Sequence, residues 1–178
     1  MSKALLIIDM QNFVTDRIQQ GIQFYPENAI ENMLTVIETF RTAKLPIIHI
    51  RHQTLAAGSP LHQDSPLSLP VASFDALTSE PVFIKHTSSA FNSTTLLSYL
   101  EDKHLSDISV IGAVAGFCVN STVRTGADLG LNMAVIKDAV ISFDLQSHQP
   151  GAEEIHQVTM ALLESGFAKM VTTAEVVN

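Results

Sequence analysis

At 178 residues the chain fits one domain spanning residues 1–178, long enough for a real core; a net charge of −8, with 10 Lys+Arg against 18 Asp+Glu and no basic run, argues against nucleic acid or an anionic membrane as a partner. A single cysteine excludes an intrachain disulfide and any multi-cysteine zinc site, and the apolar run before Asp9 is too short for a signal peptide or a membrane span, so a cytoplasmic protein is expected. The hydrophobic content of 46% predicts a sheet buried on both faces or an extensive subunit interface, and with it a homo-oligomer, dimer or tetramer.

Residues 4–8 form a continuous aliphatic run ending at Asp9, the pattern of a central parallel strand covered on both sides. Pro26 suits the first turn of an amphipathic helix whose apolar face is Ile30, Met33, Leu34, Ile37 and Phe40. Pro46 ends the turn after it, and residues 47–50 make a second strand, followed by Arg51 and His52. Residues 53–80, with Pro60, Pro66, Pro70 and Gly58, read as a long loop with a short helical turn near Phe74, and loops of this length in compact domains are usually functional or disordered. A short strand over 82–84 ends at Lys85, and a helix runs through Leu96, Leu97 and Leu100. Residues 133–136 make a strand ending near Asp138, Pro150 opens a helix through Ile155, Val158, Leu162 and Leu163, and a last strand covers 170–173. Strands alternating with helices predict an α/β three-layer sandwich with a mainly parallel sheet flanked by helices.

The segment 107–130 carries the chemistry. An apolar strand over 108–111 leads through Gly112, Ala113, Val114, Ala115 and Gly116 to Phe117 and Cys118, after which the spacing of Val119, Thr122, Val123, Ala127 and Leu129 is helical and Gly130 suits a C-cap. A lone thiol at a strand-to-helix junction is either a buried structural cysteine or a nucleophile. Asp9, Lys85 and Cys118 all fall at or just beyond strand ends, and the carboxyl ends of parallel strands share one edge where ligands bind. Converged, they form a coherent set. Cys118 attacks as a thiolate with its pKa depressed by Lys85, Asp9 moves the proton, and the backbone N–H groups of Val114 and Cys118 make an oxyanion hole.

The residues Leu5-Leu6-Ile7-Ile8-Asp9-Met10-Gln11-Asn12, then Lys85 with Ser89-Ala90-Phe91, then Gly112 to Val119 with Thr122 and Arg124, and further on Asp138-Ala139 and His156, resemble the isochorismatase-like cysteine hydrolases over nearly the whole chain. The resemblance implies a six-stranded parallel sheet, the triad Asp9, Lys85 and Cys118, and a cis peptide between Ala113 and Val114. This chain departs from the family pattern at Ala115, where threonine is common, and at Phe13, where a second aspartate often stands. The nicotinamidase branch carries an Asp-x-His metal motif after the second strand; the corresponding stretch here is His49-Ile50-Arg51-His52, which disfavours a nicotinamidase and predicts no metal and no cofactor. His52, His62 and Asp64 are the residues left to hold one. Relatives that cleave a vinyl ether lack the cysteine, so Cys118 points to amide-type or related acyl chemistry.

The expected function is hydrolysis of a carbon–nitrogen bond in a small molecule through a thioester. Gln11, Phe13, Arg51, His52, Phe91 and Phe117 are the candidate substrate-binding residues: Arg51 and His52 for an anionic or carbonyl group, the phenylalanines for apolar walls. The alternatives are an isochorismatase-like hydrolase of another bond and a non-catalytic thiol or interaction protein that keeps the fold.

Overall fold

The structure is a computed structural model that describes residues 3–145 and 150–177, so the domain expected over 1–178 runs past the described residues at both ends and across 146–149. In chain order the elements are β1 (Lys3–Ile8), α1 (Asn12–Gln19), β2 (Phe24–Tyr25), α2 (Ala29–Thr42), β3 (Ile47–His52), β4 (Val82–Lys85), α3 (Leu96–Asp102), β5 (Asp107–Ala113), α4 (Asn120–Asp128), β6 (Asn132–Phe143), α5 (Ala152–Glu164), β7 (Lys169–Val171) and α6 (Thr173–Val177). They build one sheet in the order β2-β6-β5-β1-β3-β4, with β7 on the first half of β6. Six strands are parallel, as the alternation predicted; the seventh, β2, is a two-residue antiparallel pairing of Phe24 and Tyr25 with the far end of β6. So short a piece leaves no periodic signal in a sequence.

The continuous apolar run of β1 has a direct structural cause. Leu6 and Ile8 face one apolar layer with Ile48, Ile50, Val110, Val123 and Leu163, while Leu5 and Ile7 face the other with Met33, Val36, Ile37, Phe40 and Ile111. A strand between two helical layers has no solvent side, so both parities are apolar. Each fully buried aliphatic contributes roughly 1.5–3 kcal/mol, which makes this central strand the anchor of the sheet.

Several elements depart from the sequence expectation, among them the last strand, expected over 170–173, which ends at Val171 while Thr173 opens α6. The strand predicted over 133–136 continues to Phe143, because a register shift carries the pairing from Val110↔Val135 to Gly112↔Val140. The bulge absorbs the polar pair Lys137-Asp138 that seemed to end the strand, and Asp138 Oδ1 accepts from Thr173 N (2.8 Å) at the start of α6. Helix α1 was not predicted, since Val14 is its one fully buried residue. Pro26 precedes α2 rather than opening it, following a cis Tyr25–Pro26 bond and accepting from Ala29 N at 3.1 Å.

The long loop expected over 53–80 is present and ordered by 3₁₀ turns at Pro66–Ser68 and Ala72–Phe74. Phe74 is buried as its hydrophobic anchor. Glu80 closes it, binding Arg41 Nε at 2.8 Å, His49 Nε2 at 2.8 Å and Leu77 N at 3.0 Å.

Candidate active site

The strand order places the carboxyl ends of β5, β1, β3 and β4 side by side. Asp9 follows β1, His52 ends β3 directly opposite Lys85 at the end of β4, and Cys118 lies one turn beyond β5. Asp9 takes φ 52°, a left-handed turn in which its N–H donates to Ile50 O (3.0 Å) and its carbonyl accepts from Gln11 N (2.9 Å). On β5, Gly112 has φ 124°, and a Cβ there would overlap the backbone of Ile8. Only glycine lets β5 come this close to β1 just before Asp9. The Ala113–Val114 peptide is cis, as the family resemblance implies. A turn of π-helix, Ala115–Val119, then feeds α4, and Val114 O accepts from both Phe117 N (3.0 Å) and Val119 N (3.3 Å). Cys118 sits in that turn rather than at the first residue of the α-helix.

Lys85 is the centre of the constellation. Its side chain is wholly buried, and its Nζ lies 2.8 Å from Asp9 Oδ2, 2.9 Å from His52 Nδ1 and 3.2 Å from Cys118 Sγ. An ammonium has three donors, and all three are used. His52 therefore accepts through Nδ1 and is the neutral Nε2–H tautomer; burial and the neighbouring Lys85 both hold its pKa below the usual imidazole range. Burial pushes the Asp9 carboxyl above its ordinary range while Lys85 pulls the other way, and Asp9 Oδ1 is buried without a hydrogen-bond partner.

The expected depressed thiol pKa is not found. Burial, joined by the negative charge of Asp9, pushes Cys118 up to about 12, outweighing the opposite pull of Lys85. The ammonium is already neutralised by a carboxylate closer to it than the sulfur is. These surroundings favour the thiol over the thiolate at Cys118.

A carboxylate oxygen of Asp9, a ring nitrogen of His52 and Cys118 Sγ lie within 4.8 Å of one another, a spacing that metal ligands can have. The three atoms surround Lys85 Nζ, however, so a metal there would meet a buried ammonium, and these residues do not fit an ion. His62 instead lies 3.7 Å from Asp64, whose side chain is 80% exposed, and neither belongs to this cluster.

A cavity of about 270 Å³ opens beside Asp9 and Cys118, walled by Phe13, Val14, Leu61, Val114, Phe117 and Phe143, with Arg17 among its lining. Phe13 and Phe117 are thus where the sequence placed them. Gln11 reaches the cavity but is 1% exposed, and its amide is consumed by the backbone: Nε2 donates to His52 O (2.9 Å) and Ser68 O (2.6 Å), and Oε1 accepts from His52 N (2.8 Å). It fastens β3 and the long loop to the end of β1.

Arg51 and Phe91 are not brought to the site. On β3 successive side chains point to opposite faces, so the parity that turns His52 toward Lys85 turns Arg51 away, where its charge meets Asp75. Phe91 packs against the core layer beneath α4, close to Gly126. The expectation that His52 recognises substrate gives way to its contact with Lys85. Arg17 was missed; the spacing of Phe13, Val14, Arg17 and Ile18 after the Asp9 turn was its available signal.

Comparison with known proteins places this geometry. The model of the isochorismatase domain matches residues 3–175. An uncharacterized isochorismatase family protein, YddQ of Bacillus subtilis (strain 168), is 29% identical over 97% of either chain. Nicotinamidase 3 of Arabidopsis thaliana is 27% identical, covering 94% of this chain and 83% of its own. A solved structure described as a putative hydrolase of the isochorismatase family from Chromobacterium violaceum superposes with a TM-score of 0.91 at 25% identity, covering 99% of this chain and 92% of the other. With the family's domain running through all seven strands, the chain belongs to the isochorismatase family.

Proposed function

We propose that this isochorismatase-family hydrolase is a cysteine hydrolase that cleaves a carbon–nitrogen bond of a small amide through a thioester. The observation that carries the reading is the neutral Cys118 thiol held at 3.2 Å by Lys85, beside an Asp9 with one unpartnered buried oxygen, at the mouth of an apolar cavity. A similar protein's name, Nicotinamidase 3, denotes hydrolysis of an amide and supports the choice of bond.

When the substrate carbonyl carbon reaches Cys118, Sγ forms the S–C bond and its proton passes to the Asp9 carboxylate. The raised pKa of Asp9 makes it a better acceptor than an ordinary aspartate. The carbonyl oxygen takes the electron pair and is held by the N–H groups of Val114 and Cys118. Collapse breaks the C–N bond, and the Asp9 proton leaves on the amine. Water then attacks the thioester, Asp9 takes its proton, and the acid departs as the thiol is restored. Lys85 remains an ammonium throughout and keeps Asp9 in place.

The test is mass spectrometry on Cys118 with a panel of small amides and activated esters. Wild type should turn amides over, Cys118→Ala should form no adduct, and Asp9→Asn should accumulate acyl-enzyme from an activated ester because the water lacks its base. Full activity in Cys118→Ala would overturn the thioester and favour direct attack assisted by Asp9 and Lys85.

A further inference from the structure

We infer that Arg17 is the specificity residue of the cavity, and that the substrate is a small amide with an apolar body and a carboxylate. This rests on the amide reading above and adds the class of acid that it accepts.

Among the described residues, Arg17 is one of two formally charged residues lining the cavity; the other, Asp9, is already paired with Lys85. It projects from α1 into a mainly apolar wall that includes Phe13, Val14, Leu61, Val114, Phe117 and Phe143. Its guanidinium carbon lies 5.5 Å from the Phe13 ring centroid and 4.9 Å from that of Phe143. Two aromatic contacts restrain the guanidinium without using its N–H groups, so a donor fork is held ready. The Nε is buried without a hydrogen-bond partner, and among the described residues no carboxylate pairs with the side chain.

A buried donor left unpaired is costly, and a positive charge beside phenylalanine rings calls for an anion. A planar fork of Nε–H and Nη–H matches a carboxylate, accepting it through two parallel bonds. The chain's net charge of −8 repels anions in general, so admission of one depends on this local cation. Asp9 with Lys85 forms a formally neutral pair, which suits a neutral amide, while Arg17 adds an unpaired cation to the same lining. The cavity therefore asks for an amide and an acid in one molecule, joined through an apolar body.

The test is a series of dicarboxylic-acid monoamides of increasing chain length, each set against the uncharged alkyl amide of matched length. In wild type one chain length should be preferred over its neutral partner by about 10- to 100-fold in kcat/KM, the range of a hydrogen bond to a charged group. Arg17→Met should bring that ratio close to unity, and Arg17→Lys, which keeps the charge but not the fork, should fall between. Calorimetry should show the corresponding dicarboxylates binding wild type and not Arg17→Met, whose fold is checked by circular dichroism; if that variant does not fold, the Arg17→Lys ratio decides. Amides cleaved through Cys118 with a ratio indifferent to Arg17 would overturn this inference and leave the amide reading standing. Arg17-dependent dicarboxylate binding with no amide cleaved would do the reverse. An absence of both would overturn both.

Discussion

Cys118 lies 3.2 Å from an ammonium, yet its burial, joined by the charge of Asp9, favours the thiol over the thiolate. Desolvation is the largest influence on the thiol and Asp9 the next, both disfavouring the thiolate. In the proposed mechanism Cys118 and Asp9 are therefore coupled as nucleophile and base, and the charge separates only when a substrate is there to receive it. Alkylation of Cys118 by iodoacetamide should keep accelerating well above pH 8.5, the free-thiol value of about 8.5 being displaced toward 12. Asp9→Asn removes the negative neighbour, so its midpoint should move down; a midpoint that stays or rises would show that Asp9 does not hold the proton on sulfur. Asp9, Lys85 and Cys118 were legible in the sequence because each closes or follows an apolar run, and parallel strands bring such ends together. The thiol's ionisation was not legible, since it depends first on how deeply the folded chain buries Cys118 and then on how close Asp9 stands to it. Nor could Arg51 be told from His52, because face parity needs the register His52↔Lys85 that only the folded sheet supplies.

At the scale of elements, Gly112 and Gln11 decide whether the strand ends converge. Gly112→Ala adds a methyl where Ile8 backbone already lies and forces a φ of 124° on an L residue. Strain and overpacking together should cost roughly 2–6 kcal/mol, read as a fall in the urea midpoint or as failure to recover folded protein. A variant as stable as wild type would mean that β5 can withdraw from β1. Gln11→Met strands His52 N, His52 O and Ser68 O, so loss of about 2–4 kcal/mol is expected. The loss should be local first: limited proteolysis should cut between residues 53 and 80 before the global transition, and kcat should fall as His52 shifts from Lys85. Unchanged cleavage would show that Phe74, Glu80 and the loop's other contacts hold it without Gln11. α1 and the second half of β6 escaped sequence reading for related reasons. One buries a single residue fully, and the other carries Lys137-Asp138 across a bulge that breaks the apolar run.

For the molecule as a whole, acid is the condition to watch. Burial holds the folded His49 and His156 below the usual imidazole range, so the unfolded chain binds their protons more readily and stability begins to fall once pH drops below about 6.5. Glu80 sits at about 2 because Arg41, Leu77 and His49 hydrogen-bond its carboxylate and overcome its burial. Its contribution is fully present above the unfolded value of 4.5 and is lost as pH falls from there toward 2. With a side chain 7% exposed, that loss amounts to about 3 kcal/mol. Glu80→Gln should be less stable than wild type at pH 7, and the gap between their urea midpoints should narrow steadily between pH 4.5 and 2. A gap independent of pH in that window would show that the carboxylate acts through packing and not through its charge.

Apart from Val114 and Phe117, which adjoin Cys118, the apolar cavity walls come from other parts of the chain than the reacting atoms. Asp9, His52, Lys85 and Cys118 stand at the ends of four neighbouring parallel strands, whereas Phe13, Val14 and Arg17 ride on α1, Leu61 on the long loop, and Phe143 at the end of β6. The engine and the jaw are separable parts. Grafting the α1 segment and the loop from a relative should retune which molecules are accepted while the alkylation profile of Cys118 stays that of the host, so new diets can be sampled in such a chain without rebuilding the machinery that digests them.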